Sequence, residues 1–257
     1  MEDFKFYEVG GKIRDELLGL TNKDVDYVAV PRGYLLDAGC GNSDGTITPL
    51  YTAEDMFRKL EGFLRSEKFE IFLITPECYT IRAKFPEGYK YQGVADFVMA
   101  RKEVGYVPGT RIPIVEPGNL YDDLSRRDFT VNAMAKDPDT GEIIDYFTGK
   151  DDISNALIRT PLDPIVTFDD DPLRILRAIR FAVTKRFTIE SATWRAMVFY
   201  DYDTKMPVVS EERIREELTK CFKCNTIRTL TYLDRLPRLK DYIFTKTSLW
   251  LKPTNEK

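Results

Sequence analysis

Gly10-Gly11-Lys12-Ile13-Arg14-Asp15, followed by Asp24-Val25-Asp26, is the stretch whose reading decides the fold. The glycine pair makes a tight turn and opens a short helix, Lys12–Leu18, that ends at Gly19. An apolar, β-branched run from Val25 to Val30 then reads as a strand. Side chains on a strand alternate with a period of two, so Asp24 and Asp26 are expected on one face. Glycines at a helix start let backbone N–H groups approach a phosphate, and Arg14, one turn in, carries a planar fork suited to its oxygens. Paired carboxylates suit hard divalent cations. A phosphate cradle beside a metal pair points to chemistry on a nucleoside triphosphate. Taken singly, the glycines are also compatible with a plain tight turn, and Asp-x-Asp with a polar edge strand.

Composition narrows the chemistry. The 257 residues, 43% hydrophobic and 31% charged, are those of an ordinary globular protein of one large or two smaller domains. No apolar run approaches a membrane span, and Met1-Glu2-Asp3-Phe4-Lys5 does not open a secretory signal, so the expected location is the cytoplasm, with no membrane partner. The chain has no histidine. That removes Ser-His-Asp and Cys-His nucleophiles and His-ligated zinc, and leaves carboxylates, Lys, Arg, hydroxyls and oxygen-held metals. Of Cys40, Cys78, Cys221 and Cys224, only the last two have C-x-x-C spacing, and no second pair accompanies them. They are expected as small packed residues in a reducing compartment rather than a zinc or redox site. A net charge of −4 argues against tight sequence-blind nucleic-acid binding and leaves room for a local basic face.

Along the chain, β-rich runs (Val25–Val30, Phe69–Thr75, Cys78–Phe85, Val94–Ala100, Ile143–Phe147) alternate with helical patterns (Lys12–Leu18, Ala53–Ser66) up to about residue 148. Beyond it the patterns are helical. Asp171-Pro172 reads as a cap before a helix carrying Leu173, Leu176, Ile179 and Val183, and Ser210 as a cap before Ile214, Leu218 and Phe222. The expected organisation is α+β: a head at 1–148, a helical segment at 149–224 and a short basic segment at 225–257. In that last segment Arg228, Arg235, Arg238, Lys240, Lys246, Lys252 and Lys257 outnumber Asp234, Asp241 and Glu256, interleaved with Tyr232, Tyr242, Phe244 and Trp250. The pattern suits an RNA strand and equally an amphipathic cap on the preceding helix. Two connections stand out. Residues 101–120, rich in Gly and Pro, are expected as a long functional loop. Leu36-Asp37-Ala38-Gly39-Cys40-Gly41-Asn42 has the glycine pattern of class I methyltransferases. Ser43-Asp44-Gly45 and Thr48-Pro49 break the helix which that motif needs, so 31–50 is expected to be a surface insertion.

Further motifs follow in order: Arg126-Arg127-Asp128-Phe129-Thr130-Val131-Asn132-Ala133, Asp145-Tyr146-Phe147-Thr148-Gly149 with Asp152, Phe168-Asp169-Asp170-Asp171-Pro172-Leu173-Arg174-Ile175-Leu176-Arg177-Ala178-Ile179-Arg180, and Ser210-Glu211-Glu212-Arg213-Ile214. With the opening glycines and Asp-x-Asp, the series resembles the class II tRNA nucleotidyltransferase and bacterial poly(A) polymerase family over about residues 5–220. The resemblance implies a nucleotidyltransferase head with a mixed β-sheet followed by an all-helical neck. It implies that Asp24 and Asp26 hold two Mg²⁺ ions, that Gly10, Gly11 and Arg14 face the triphosphate, and that Arg127 contacts the nucleotide. Asp171 and Arg174 would read the base, with Arg177 and Arg180 further along the same helix. The implied reaction adds C and A from CTP and ATP to the 3′ acceptor end of tRNA, with poly(A) addition and a non-catalytic RNA-binding module as alternatives.

The residues fit those roles. Two metals can activate a 3′-OH and neutralise leaving pyrophosphate. Asp96, in Val94–Ala100, is the candidate third carboxylate, with an edge-strand acid as its alternative. A carboxylate only accepts hydrogen bonds and a guanidinium only donates, so one Asp–Arg pair matches the amino and ring-nitrogen edge of both C and A. Without the other motifs, Arg174, Arg177 and Arg180 would read as a solvated stripe. Asp170 stands where the family usually has Glu, and Cys78-Tyr79-Thr80 where it often has a basic-aromatic-Gly stretch. The sequence given stops about 35 residues past the neck. The family's body and tail are therefore expected to be mostly missing, which leaves room for a homo-oligomer or a partner subunit in their place.

Overall fold

The computed structural model describes residues 3–21, 25–32, 51–110 and 112–247. Asp24, the 33–50 part of the expected insertion with its glycine motif, and Trp250, Lys252 and Lys257 of the basic segment lie outside the described residues. Packing divides the chain into two units. One comprises Met1–Val107, Ile112–Arg127 and Val131–Lys150; the other comprises Pro108–Arg111, Asp128–Thr130 and Asp151–Lys257.

The first unit is built from β1 (Phe4–Val9), α1 (Gly11–Leu17), β2 (Val25–Pro31), α2 (Ala53–Ser66), β3 (Glu70–Thr75), β4 (Thr80–Lys84), β5 (Val94–Met99), β6 (Arg101–Tyr106), β7 (Pro113–Pro117), α3 (Leu120–Ser125), β8 (Met134–Lys136) and β9 (Ile143–Asp145). Seven strands form one mixed sheet in the order β3-β4-β5-β2-β1-β8-β9, with β2 and β5 parallel and the other pairs antiparallel. One face is aromatic. Tyr27 and Phe97 stack at 5.2 Å between ring centroids, and Phe69 and Phe85 pack around them under Leu60 and Leu64 of α2. Burying one such side chain contributes about 1.5–3 kcal/mol, so this layer anchors the sheet. On the opposite face Val9, Val28 and Ala135 pack under Leu120 and Leu124 of α3. Thr52 and Asp55 form a reciprocal capping box at the start of α2, and Asn119 and Asp122 do so at α3.

The first unit departs from expectation at residues 101–120 and at its first strand, among others. Residues 101–120 are not an unstructured loop. β6 and β7 pair as a hairpin from Arg101↔Pro117 to Tyr106↔Pro113 with a register shift between Glu103 and Gly105. The prolines fall at the ends of the ribbon, where a missing N–H costs least, and the glycine sits at the irregularity. β1 carried no sequence expectation. Phe4, Glu8 and Val9 are all buried there, so the run lacks the alternation that marks a one-sided strand.

The remaining elements are α4 (Gly149–Ser154), β10 (Leu157–Ile158), α5 (Pro164–Asp170), α6 (Leu173–Thr184), β11 (Thr188–Ile189), α7 (Ser191–Phe199), α8 (Tyr202–Lys205), α9 (Glu211–Cys224), α10 (Thr226–Asp234) and α11 (Pro237–Asp241). Within the second unit α6 packs on α9; Ile175, Leu176, Ile179 and Ala182 of α6 and Ile214, Leu218 and Cys221 of α9 are all buried. The two-residue parallel pair β10–β11 is the exception to an all-helical neck. Ser210 stands at the N-cap of α9 without a side-chain cap bond. Cys221 and Cys224 are free thiols on α9, and burial pushes the Cys221 thiol up to about 12. Among the described residues no helix is long and apolar enough to cross a membrane.

Candidate active site

Strand register builds the site. Asp26 on β2 is the direct partner of Asp96 on β5, and Asp96 is in turn the partner of Arg82 on β4. Val25, Tyr27, Ala95 and Phe97 turn into the aromatic core, so Asp26 and Asp96 project to the other face side by side. Asp26 is exposed and Asp96 half-buried. Neither β2 nor β5 is an edge strand, since each has a paired strand on both sides. The edge-strand explanation of both acids is thereby removed. Sheet interiors are apolar by default, and two carboxylates in adjacent central strands ask for a cationic occupant.

One cation is supplied by the protein itself. Arg82 grips Asp96 with two bonds, Nε to Oδ1 at 2.6 Å and Nη2 to Oδ2 at 2.7 Å. That pairing, then the nearby charge of Asp26, raises the Arg82 guanidinium above its usual pKa. The side chains are 47% and 27% exposed, so the pair is screened by water and exchangeable rather than locked. Hard carboxylate oxygens from Asp26 and Asp96 on one open face fit a divalent ion such as Mg²⁺.

The glycine turn lies beside this row. Val9, the last residue of β1, is the partner of Asp26, so the turn begins one residue away from that register position. Gly10 has φ +80°, which disfavours any other residue, and a Cβ there would stand 3.2 Å from Nη1 of Arg127. A Cβ on Gly11 would stand 3.3 Å from Nη2 of Arg14. At Gly10 the backbone conformation itself calls for glycine, and at both positions an arginine side-chain tip would have to shift to admit a Cβ. Arg14 is not presented as an open fork. It is 8% exposed, donates three bonds to Asp15, and gives Nη1 to Oδ1 of Asn132 at 2.6 Å. Arg127 is held at 2.9 Å by Asp123, which also takes Arg126. Burial works to raise the pKa of Asp123, but Arg126 and Arg127 outweigh it and hold the carboxyl below the usual range. Nε of Arg127 is buried without a hydrogen-bond partner among the described residues.

In the second unit the predicted residues gather at the start and along one face of α6. Pro172, not Asp171, is the N-cap of α6, one residue later than expected, while Oδ1 of Asp171 just ahead of it accepts the N–H of Leu173 at 3.0 Å. Arg174 donates to the Thr167 carbonyl at 3.1 Å. Arg177 clamps Oδ2 of Asp128 through Nε at 2.8 Å, and the charge of Asp128 raises its pKa. Arg180 donates Nε to Glu217 of α9 at 2.5 Å. The three arginines are therefore not a solvated stripe. Sequence reasoning did not anticipate Arg82, Asp123 or Glu217 as partners. The alternation in Thr80-Ile81-Arg82-Ala83-Lys84 held a signal for Arg82, but only the strand register shows what it faces.

A family model described as the poly A polymerase head domain matches residues 6–159. The chain belongs to that family. This poly A polymerase head-domain chain is 30% identical to a CCA-adding enzyme of Staphylococcus saprophyticus, over 96% of its own length and 55% of that protein's. It is 42% identical to a nucleotidyltransferase of Purpureocillium lilacinum over 50% of its length and 22% of the relative's. Among solved structures, it superposes on the Thermotoga maritima CCA-adding enzyme complexed with tRNA with a TM-score of 0.69 and 26% identity. That match covers 97% of this chain and 50% of that one. The Bacillus stearothermophilus CCA-adding enzyme in complex with CTP gives a TM-score of 0.64 at 25% identity, covering 90% and 48%. The chain thus spans about half the length of these CCA-adding enzymes.

Proposed function

We propose that this chain carries the catalytic head and neck of a template-independent RNA nucleotidyltransferase that adds C and A, from CTP and ATP, to the 3′ end of tRNA. The head corresponds to 1–148, the neck to 149–224 and a basic segment to 225–257. The observation that carries the reading is the placement of Asp26 and Asp96 as register partners on an open sheet face, one residue from the glycine turn. Likeness to a CTP-bound and a tRNA-bound CCA-adding enzyme supports the substrates.

Asp24, Asp26 and Asp96 are assigned to holding Mg²⁺, which when bound supplies charge neutralisation for the triphosphate and lowers the pKa of a coordinated hydroxyl. Gly10 and Gly11 let the backbone approach the phosphates. Arg14 orders that turn from beneath, and Arg127, fixed by Asp123, turns its remaining donors toward the nucleotide. Asp171 and Arg174 read the base. Arg177 and Arg180 position the helix through Asp128 and Glu217.

The family description also names poly(A) addition. Incubating the chain with a tRNA transcript ending before CCA, Mg²⁺ and each nucleotide separates the readings. The proposal expects a defined C-C-A addition from CTP plus ATP and rejection of UTP and GTP. A long A tail from ATP alone establishes the polymerase, and no incorporation of any nucleotide refutes both.

A further inference from the structure

A groove of about 650 Å³ in the second unit lies among α7, α10 and the β10–β11 pair, with Trp194, Arg195, Tyr232 and Arg235 in its lining. None of these residues belongs to the α6 constellation. The guanidinium of Arg235 stacks over Trp194 at 4.4 Å from the ring centroid. Trp194 and Tyr232 lie 6.1 Å apart at 57°, and Arg228 stands 6.0 Å from the Tyr232 ring. Two aromatic rings and three guanidinium groups therefore share one surface.

Charge adds to the case for this surface. Arg159, Arg177 and Arg180 each have a carboxylate partner. Among the described residues, Arg195, Arg228 and Arg235 have none within 4 Å. The one acid in the lining, Glu190, is turned to capping: it accepts the N–H of Thr193 at 2.8 Å and the Ser191 hydroxyl at 3.3 Å. Asp234, beside Arg235, is taken by Lys240 at 2.6 Å. Three cations without an ion pair, against the single carboxylate of Glu190, surround aromatic faces in a chain of net charge −4, and are complementary to a polyanion whose bases present π-faces. A protein partner would more often meet an apolar core with cations at its rim.

We propose that this groove binds single-stranded RNA. Bases stack on Tyr232 and on the outer face of the Arg235–Trp194 sandwich, and Arg195, Arg228 and Arg235 hold phosphates. Guanidinium planes and aromatic rings both accept stacked bases. The inference rests on RNA being the substrate, and it places a second RNA contact on residues the reaction does not use.

The test is fluorescence anisotropy of the whole chain with a labelled 12-nucleotide single-stranded RNA of mixed sequence, over a salt series. Trp194→Ala should weaken binding about tenfold, and Tyr232→Phe should leave it unchanged because stacking survives. Arg195→Ala, Arg228→Ala and Arg235→Ala together should lower the slope of log K against log salt by about two, at roughly 0.7 per phosphate released. Melting temperature and the KM for CTP should hold. Wild-type affinity and slope in the triple variant would overturn the site. A change of oligomeric state by light scattering, with RNA binding intact, overturns it in favour of a protein contact. If the chain incorporates nucleotides while RNA binding ignores these residues, only this inference falls. If RNA binding depends on them but nothing is incorporated, only the proposed reaction falls.

Discussion

The open face of the head sheet and the arginine face of α6 use the same two residue types to opposite ends. On the sheet, Asp26 is exposed and Asp96 is held by a half-exposed Arg82. On α6, Arg177 and Arg180 meet Asp128 and Glu217, whose side chains are 8% and 6% exposed. A solvated ion pair is worth little and can be exchanged; breaking a buried one strands a charge and costs stability. The difference teaches that exposure, rather than the presence of charged residues in a motif, separates groups available to a ligand from groups that hold helices together.

The largest expected effect comes from the sheet face. Asp26→Ala should lower nucleotide incorporation about a thousandfold, equivalent to ~4 kcal/mol of lost transition-state stabilisation, while the melting temperature stays within a degree or two. A large drop in melting temperature would break the comparison by making Asp26 structural. Next, Asp128→Ala should destabilise the fold by about 2–3 kcal/mol, because it leaves the Arg177 guanidinium without its carboxylate. Denaturant unfolding checks this, and unchanged stability would show the α6 pairs to be as exchangeable as Arg82–Asp96.

Asp123 sharpens the same contrast through pH. Its folded pKa is depressed by Arg126 and Arg127, so its contribution is present above the unfolded carboxylate value near 3.9 and is lost as pH falls through the folded one. Thermal stability should decline below about pH 4, and less steeply in Asp123→Asn. A smaller effect is expected at the base-reading position. Asp171→Ala should cost about 1–3 kcal/mol of discrimination for C and A over U and G, together with about 1 kcal/mol from the lost bond to the Leu173 N–H. Kinetics and melting curves run side by side separate the two. The smallest effect concerns Arg82. Arg82→Ala frees both oxygens of Asp96 and should tighten Mn²⁺ binding about threefold, the worth of an exposed pair. Weaker binding would show that Arg82 orients Asp96 for the metal instead of competing with it.

Much of this was legible in the residues. The helix Ala53–Ser66 followed from its helical pattern, the Val94 strand from its β-rich run, and the motif order led to the family. The pairing of Asp26 with Asp96 was not legible, because it depends on two strands about seventy residues apart lying parallel in a particular register. Hairpin β6–β7 was hidden by glycine and proline, whose local signal is for turns. Partners such as Glu217 for Arg180 could not be read either, since long-range ion pairs leave no periodic trace in a sequence.

The most direct test of the metal assignment is a count of Mn²⁺ ions bound to the whole chain, by electron paramagnetic resonance, with a non-hydrolysable CTP analogue present. The account predicts about two ions for the wild type and a loss of at least one, with tenfold weaker affinity, in Asp26→Asn and in Asp96→Asn. Both variants binding Mn²⁺ as tightly and in the same number as the wild type would contradict it.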